Sequence, residues 1–212
     1  MANFIGVSGI AGAGKDLFCS LVQDYFEGVR KVHIKSIAFS LKSDVKETCL
    51  ELYGIDSVNA TREDKNKIRD YLVFYGDVMR KKTEGKYWVD KLDKECYSME
   101  SEGKLGDNDI VIISDVRYDE YDQDETFWIK NHKNGTLVHI KKHFVVDNGY
   151  SSEKVYGVPP NDKEKINDPK VQEKADYLID WPNIEGPQKD VNDLLCSSYV
   201  KNFCDWYESQ LK

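Results

Sequence analysis

The sequence predicts an α/β fold of three layers, a parallel five-stranded sheet covered by helices on both faces. Three observations predict it. Short apolar segments alternate with amphipathic helical patterns along the chain. The run Ile110-Val111-Ile112-Ile113 is apolar without a break, as in a parallel strand buried on both sides. The first apolar run, Asn3–Ser8, passes straight through a glycine-rich turn into a helical stripe.

The elements follow in order. After the turn, Leu17, Phe18, Leu21, Val22, Tyr25 and Phe26 recur at spacings of one, three and four, which marks a helix packed on a sheet, and Gly28 ends it. Further strands fit residues 32–37, 110–114, 136–141 and 175–179. Between them, 42–95 holds no strand pattern but several helical stripes, such as Ile68, Leu72, Tyr75 and Met79, and reads as a helical insertion. Residues 143–173 are polar, lysine-rich and interrupted by Pro159, Pro160 and Pro169, which predicts a mobile, lid-like flap. Val191, Leu194, Leu195, Val200, Phe203, Trp206 and Leu211 predict a closing amphipathic helix. At 212 residues the chain suits a single domain, 1–212, carrying these two additions.

Composition removes whole classes of function. With 30 Lys+Arg against 38 Asp+Glu the net charge is -8, so the chain lacks the broad basic footprint of a nucleic-acid-binding surface, although a local basic pocket for a small anion remains compatible with it. No apolar run approaches the roughly 20 residues that span a bilayer, and Met1-Ala2-Asn3 lacks a basic leader start, so a cytoplasmic protein is expected. The five cysteines, Cys19, Cys49, Cys96, Cys196 and Cys204, form no CxxC pair and read as reduced, buried thiols. His139 and His143 are four apart but lie at a strand end, which makes a weak metal pair. The acidic run Asp119, Glu120, Asp122, Asp124 and Glu125 reads as a solvated helix face.

The chemistry concentrates in two places. Gly9-Ile10-Ala11-Gly12-Ala13-Gly14-Lys15 satisfies the phosphate-binding P-loop pattern, in which backbone N–H groups cradle phosphates at a helix N-terminus and the lysine reaches the outer ones. Asp16 stands where a Ser or Thr hydroxyl ordinarily contacts magnesium, and a carboxylate is also a hard oxygen ligand. The acid is equally at home in a helix first turn. Ser114-Asp115-Val116-Arg117 closes the buried third strand, where Asp115 suits a second magnesium contact and Arg117 a bidentate phosphate clamp. Only five arginines exist, and Arg69 and Arg80 flank an aromatic-rich helical block that leads to Tyr87-Trp88. That mixture suits a planar base and its phosphate.

Gly9 to Asp16, Ala38-Phe39-Ser40-Leu41-Lys42, the block from Arg69 through Gly76-Asp77 and Arg80 to Trp88, and Ile113 to Arg117 occur in an order that resembles the deoxynucleoside monophosphate kinases of tailed bacteriophages. The resemblance spans about residues 3 to 180 and implies the P-loop nucleoside monophosphate kinase fold, a homodimer, a phage origin, and transfer of a phosphoryl group from ATP with Mg2+ to a dNMP. It implies that Gly9, Ala11, Gly12, Ala13, Gly14, Lys15 and Asp16 hold ATP, and that Lys42, Arg69, Gly76, Trp88, Asp115 and Arg117 surround the acceptor.

On these expectations Lys15, Asp16 and Arg117 are catalytic, Asp16 and Asp115 hold the metal, and Arg80 joins Arg69 in aligning the acceptor. Leu17 and Tyr121 depart from the family pattern, and no arginine follows Arg117, so Lys141, Lys142 or Lys154 has to supply lid charge. Two rivals keep the fold. One is a kinase for another phosphorylated small molecule, of the phosphomevalonate or dephospho-coenzyme A type, and the other is a nucleotide-binding regulator. The second lacks an Asn-Lys-x-Asp guanine motif.

Overall fold

The computed structural model describes residues 2–147, 151–183 and 189–211. Five parallel strands form the central sheet: β1 (Asn3–Ser8), β2 (Val32–Lys35), β3 (Ile110–Val116), β4 (Thr136–Asp147) and a last strand, β6 (Tyr177–Pro182). Their spatial order is β2-β3-β1-β4-β6, with every one of these pairings parallel. One antiparallel strand, β5 (Ser152–Tyr156), folds back on the far half of β4, from His143 to Asp147.

The alternation along β3 shows why the sheet is covered twice. Ile110 and Ile112 point to one face, where α1 (Lys15–Tyr25) and α8 (Lys189–Gln210) bring Phe18, Val22, Val200, Phe203 and Tyr207. Val111 and Ile113 point to the other, against Trp88, Val89 and Leu92 of α5 (Lys86–Ser101) and Trp128 and Ile129 of a π-helical turn (Trp128–His132). The fold is therefore mixed α/β with helices on both faces of a mostly parallel sheet. Val191, Leu194 and Leu195, expected on the closing helix, have side chains outside the described residues.

Between β2 and β3 the chain is helical throughout: α2 (Ile37–Asp44), α3 (Lys46–Tyr53), α4 (Arg62–Lys82) and α5. Thr61 caps α4 by accepting from the Asp64 N–H, and three basic residues close it, which suits the helix dipole. The second strand is shorter than expected. Ile37 leaves the strand because Ser36 caps α2, accepting from the Phe39 N–H at 3.3 Å.

The stretch 143–173 is built from the β4–β5 hairpin and α7 (Asp162–Glu173), except for 148–150, which lie outside the described residues. Asn161 caps α7 by accepting from the Glu164 N–H at 2.9 Å, and Val171 enters the core. Four bonds or ion pairs dock α7 and its capping Lys174 on the loop after β3: Arg117 to Glu164, the Asp119 N–H to Asn167, Lys163 to Glu120, and Lys174 to Asp119. Cys19, Cys49, Cys96 and Cys204 are free buried thiols, and burial pushes Cys96 up to about 11.

Candidate functional site

The site gathers at the carboxyl ends of β1 and β3. Residues 9–14 turn from β1 into α1 with Gly9, Gly12 and Gly14 at positive φ. A Cβ at Gly14 would lie 2.6 Å from Trp181 Cζ2 and one at Gly9 only 2.3 Å from the Ile140 carbonyl oxygen, so packing closes both positions to any side chain. At Gly12, by contrast, no described atom would lie within 4 Å. Trp181 Nε1 donates to the Ala13 carbonyl at 2.8 Å and ties the loop to β6.

Lys15 opens α1 and is 8% exposed. Its Nζ folds back on the loop, donating to the carbonyls of Gly9 at 2.6 Å and Ile10 at 3.0 Å. Burial, helped by the nearby Arg117 charge, lowers its pKa from 10.5 to about 8. The first N–H groups of α1 have no carbonyl inside the helix to take, and together with the helix dipole they favour an anion. Asp16 is exposed in that first turn. Beneath the loop, Ser8 Oγ donates to the Val138 carbonyl and lies 3.0 Å from His139 Nδ1. Burial and the lysines 141 and 15 hold His139 down at about 4, so it stays neutral at physiological pH.

A bulge re-aims the end of β3. Gly6 pairs with Ile113 and Ser8 with Val116, so β3 carries one more residue than β1 across that step. Asp115 turns to α2, where Oδ1 accepts from the Ile37 N–H at 2.7 Å and Oδ2 from the Ala38 N–H and Ser36 Oγ, both at 2.8 Å. The carboxylate expected to hold metal is thus committed to the N-terminus of α2, with one acceptor position left on Oδ1. Arg117 Nη1 donates to Glu164 Oε1 at 2.5 Å, and the Arg117 N–H donates to Glu125 Oε2 at 2.7 Å.

Beside Arg117 opens a cavity of about 310 Å3, at the small end of the roughly 300–1,000 Å3 range of ligand pockets. Ile37, Ala38, Leu41, Leu72, Val73 and Trp88 make its apolar walls, and Lys42, Lys65, Arg69 and Arg117 supply four cationic side chains. Gly76 lets α4 approach α2: a Cβ there would lie 2.7 Å from Leu41 Cδ1. Trp88 Nε1 donates to the Gly76 carbonyl at 3.3 Å, which fixes the indole plane. Burial, with the Lys65 charge close by, lowers Lys42 below the ordinary lysine range. Arg69 is exposed, and its Nη2 donates to Asn66 Oδ1 at 2.9 Å.

The structure thus gathers Lys42, Arg69, Gly76, Trp88, Asp115 and Arg117 around one cavity next to the glycine loop. Arg80 lines it too, but not as a solvated phosphate clamp. It is 3% exposed, donates through Nη1 to Glu125 at 3.0 Å and through Nη2 to Asp124, and stacks 3.8 Å from the Tyr118 ring centre. The acidic run is correspondingly not a solvated helix face. Asp124 and Glu125 are buried around Arg80, and the helix, α6 (Glu125–Phe127), starts only where the run ends. Burial pushes the Glu125 carboxyl up from its ordinary range, with the Arg80 guanidinium opposing it.

Sequence reasoning missed Lys65, Tyr118, Glu125, Lys163 and Glu164. Of the expected lid lysines, Lys154 is paired with Asp180 at 2.8 Å and Lys141 lies over the Tyr156 ring. Lys163, on α7, instead meets Asp77 of the cavity wall at 2.7 Å.

No family model matches the chain, and no curated protein matches it. Among solved structures, the crystal structure of TT1252 from Thermus thermophilus is similar to it at a TM-score of 0.41 and 12% identity, over 94% of this chain and 97% of that one.

Proposed function

We propose that the protein is an ATP-dependent kinase of deoxynucleoside monophosphates, with residues 9–15 as a P-loop and the cavity beside Arg117 as the acceptor site. The observation that carries this reading is the placement of Arg117. It lines the cationic, tryptophan-walled cavity and at the same time reaches, through Glu164, the N–H of Ala11 in the glycine loop. Two anion-binding halves that meet at one arginine suit transfer of a phosphoryl group between two nucleotides. The strand order β2-β3-β1-β4-β6 supports it, since such sheets bind ligands outside the carboxyl ends of their strands.

The reaction needs little from the protein beyond position and charge. The acceptor phosphate has its second ionisation near pH 6, so an anionic oxygen stands ready without a general base. That oxygen forms a bond to the γ-phosphorus of ATP while the bond to the β,γ-bridging oxygen breaks, and the electron pair leaves with ADP. Lys15 leaves its loop carbonyls for the ATP phosphates, Arg117 and Arg69 align the acceptor phosphate, and Trp88, Leu72 and Val73 flank the base. Closure of α7 over the cavity excludes water, the competing acceptor.

Magnesium carried in with ATP supplies further neutralisation of the phosphates. Such an ion is held by one or two carboxylates plus substrate phosphates rather than by a protein cage, and the exposed Asp16 fits that role. Asp115 acts chiefly by positioning α2 and hence Lys42.

The test is an ADP-release assay with ATP and Mg2+ run separately against dTMP, dGMP, dCMP, dAMP and the ribonucleotides. Turnover with one or more deoxynucleotides is expected. Silence with every nucleotide while ATP still binds would move the assignment to another phosphorylated acceptor on the same fold.

A further inference from the structure

The most unexpected group in the site is an acid. Glu164 is 7% exposed and projects from α7 into the seam between the glycine loop and β3. Its Oε2 accepts from the Ala11 N–H at 3.1 Å, and its Oε1 accepts from Arg117 Nη1 at 2.5 Å. Asn161 Nδ2 also lies 3.5 Å from Oε1. A loop N–H and a guanidinium arm are donors that ordinarily hold a phosphoryl oxygen, and a buried carboxylate is the nearest side-chain equivalent in charge and geometry. The segment leading to α7 rests on the same loop, since a Cβ at Gly157 would touch Ile10 Cδ1 at 3.1 Å.

Physical necessity favours such an acid. Buried Lys15 and half-buried Arg117 lie close enough for the arginine to depress the lysine's pKa, and holding two like charges side by side is costly without an anion between them. Asp115 is taken up by the α2 amides and Asp16 faces solvent. Glu164 is a buried acid that contacts both halves directly, the loop through the Ala11 N–H and the end of β3 through Arg117.

We propose that Glu164 is an internal stand-in for the transferring phosphoryl group: it holds the glycine loop and Arg117 at their working spacing in the nucleotide-free chain, and the γ-phosphate of ATP must displace it. Displacement breaks the Arg117–Glu164 tie that holds α7 in its nucleotide-free position and frees the helix to close over the cavity, so nucleotide occupancy and lid position are coupled through one side chain. This rests on the P-loop kinase reading above.

The experiment is calorimetric titration of the intact chain with ATP and, separately, ADP at fixed ionic strength, for wild type, Glu164→Ala and Glu164→Gln. The glutamine variant keeps the side-chain volume and the backbone N–H that Asn161 caps. Removing the competing carboxylate should tighten ATP at least about tenfold in Glu164→Ala and at least about threefold in Glu164→Gln, with a smaller change for ADP, which lacks the displacing group. Unchanged or weaker ATP binding in both folded variants would overturn the proposal while leaving the kinase reading intact. Equal tightening of ATP and ADP would overturn the γ-phosphate assignment. Failure of the wild type to bind ATP at all would overturn the P-loop reading and the proposal with it.

Discussion

Lys15 shows what a buried cation in the glycine loop costs the fold. Its ammonium is buried against two carbonyls and faces Arg117, and its pKa falls from 10.5 to about 8. At 1.36 kcal/mol per pKa unit that depression corresponds to about 3 kcal/mol of lost stability, an order-of-magnitude figure. Lys15→Met should therefore abolish turnover and yet raise the melting temperature, a reversal that thermal unfolding would detect. The sign sets the window: the gain is complete below about pH 8, where the lysine is charged in both states, and fades as pH rises from about 8 to 10.5. The same depression predicts proton uptake when ATP binds, because phosphates restore the lysine's charge. Calorimetry near pH 9 in buffers of different ionisation heat should register that uptake, and near pH 6.5 it should register none from Lys15.

Arg80 belongs to the same scale with the opposite outcome. Removing the guanidinium leaves Asp124 and Glu125 buried without their cation, which ordinarily costs about 3–5 kcal/mol. Arg80→Met should thus destabilise the chain in urea, rather than act mainly through the acceptor KM. Burial already raises the Glu125 pKa to about 8, so with Arg80 gone the further deficit from that carboxyl should grow as pH rises above about 8, where the wild-type group ionises beside its cation and the variant's does not. The Arg80 contacts link residues 44 and 45 positions apart, and a lone arginine in a helical stripe gives no hint of them. The glycine loop was legible because its signal is local: three glycines, a lysine and an apolar strand in contiguous sequence.

At the scale of elements, α2 is the clearest lever. It brings Ile37, Ala38, Leu41 and Lys42 to the cavity, and Asp115 fastens its first turn through two backbone amides and Ser36. Asp115→Ala should cost roughly 1–2 kcal/mol, typical of a lost helix cap, and raise the acceptor KM more than the ATP KM. Urea unfolding and two-substrate kinetics together would check both halves. A comparable change in both Michaelis constants would point instead to a direct role with ATP. From the sequence, Asp115 is visible as an acid at a strand end, but its direction is decided by the bulge between Gly6 and Ser8, which no local pattern announces. The stretch 143–173 illustrates the same limit. Its prolines and lysines say surface, whereas α7 is set by the Asn161 cap and by long-range ties to Arg117, Asp119 and Asp77.

Over the whole molecule, the core and strand sequence were readable and the closure was not. The alternation in Ile110-Val111-Ile112-Ile113 appears as two separate cores on the two faces of the sheet, and four of the five expected strands recur within three residues of their predicted ends, while β4 runs on to Asp147 and pairs with β5, a strand the polar sequence of 143–173 does not announce. The spatial order with β1 between β3 and β4 places the glycine loop and the Asp115–Arg117 segment side by side at one edge. Two solvent-facing loops become a single site only through that order. Glu164, 153 positions from Ala11, completes the site from an element with no motif of its own.

The most direct test of the account is ADP release from ATP and Mg2+ in the presence of each deoxynucleoside monophosphate, measured for wild type and Lys15→Met side by side. The account predicts turnover with at least one of the four in the wild type and none in the variant. No turnover with any nucleotide acceptor, or equal turnover in the two proteins, would contradict it.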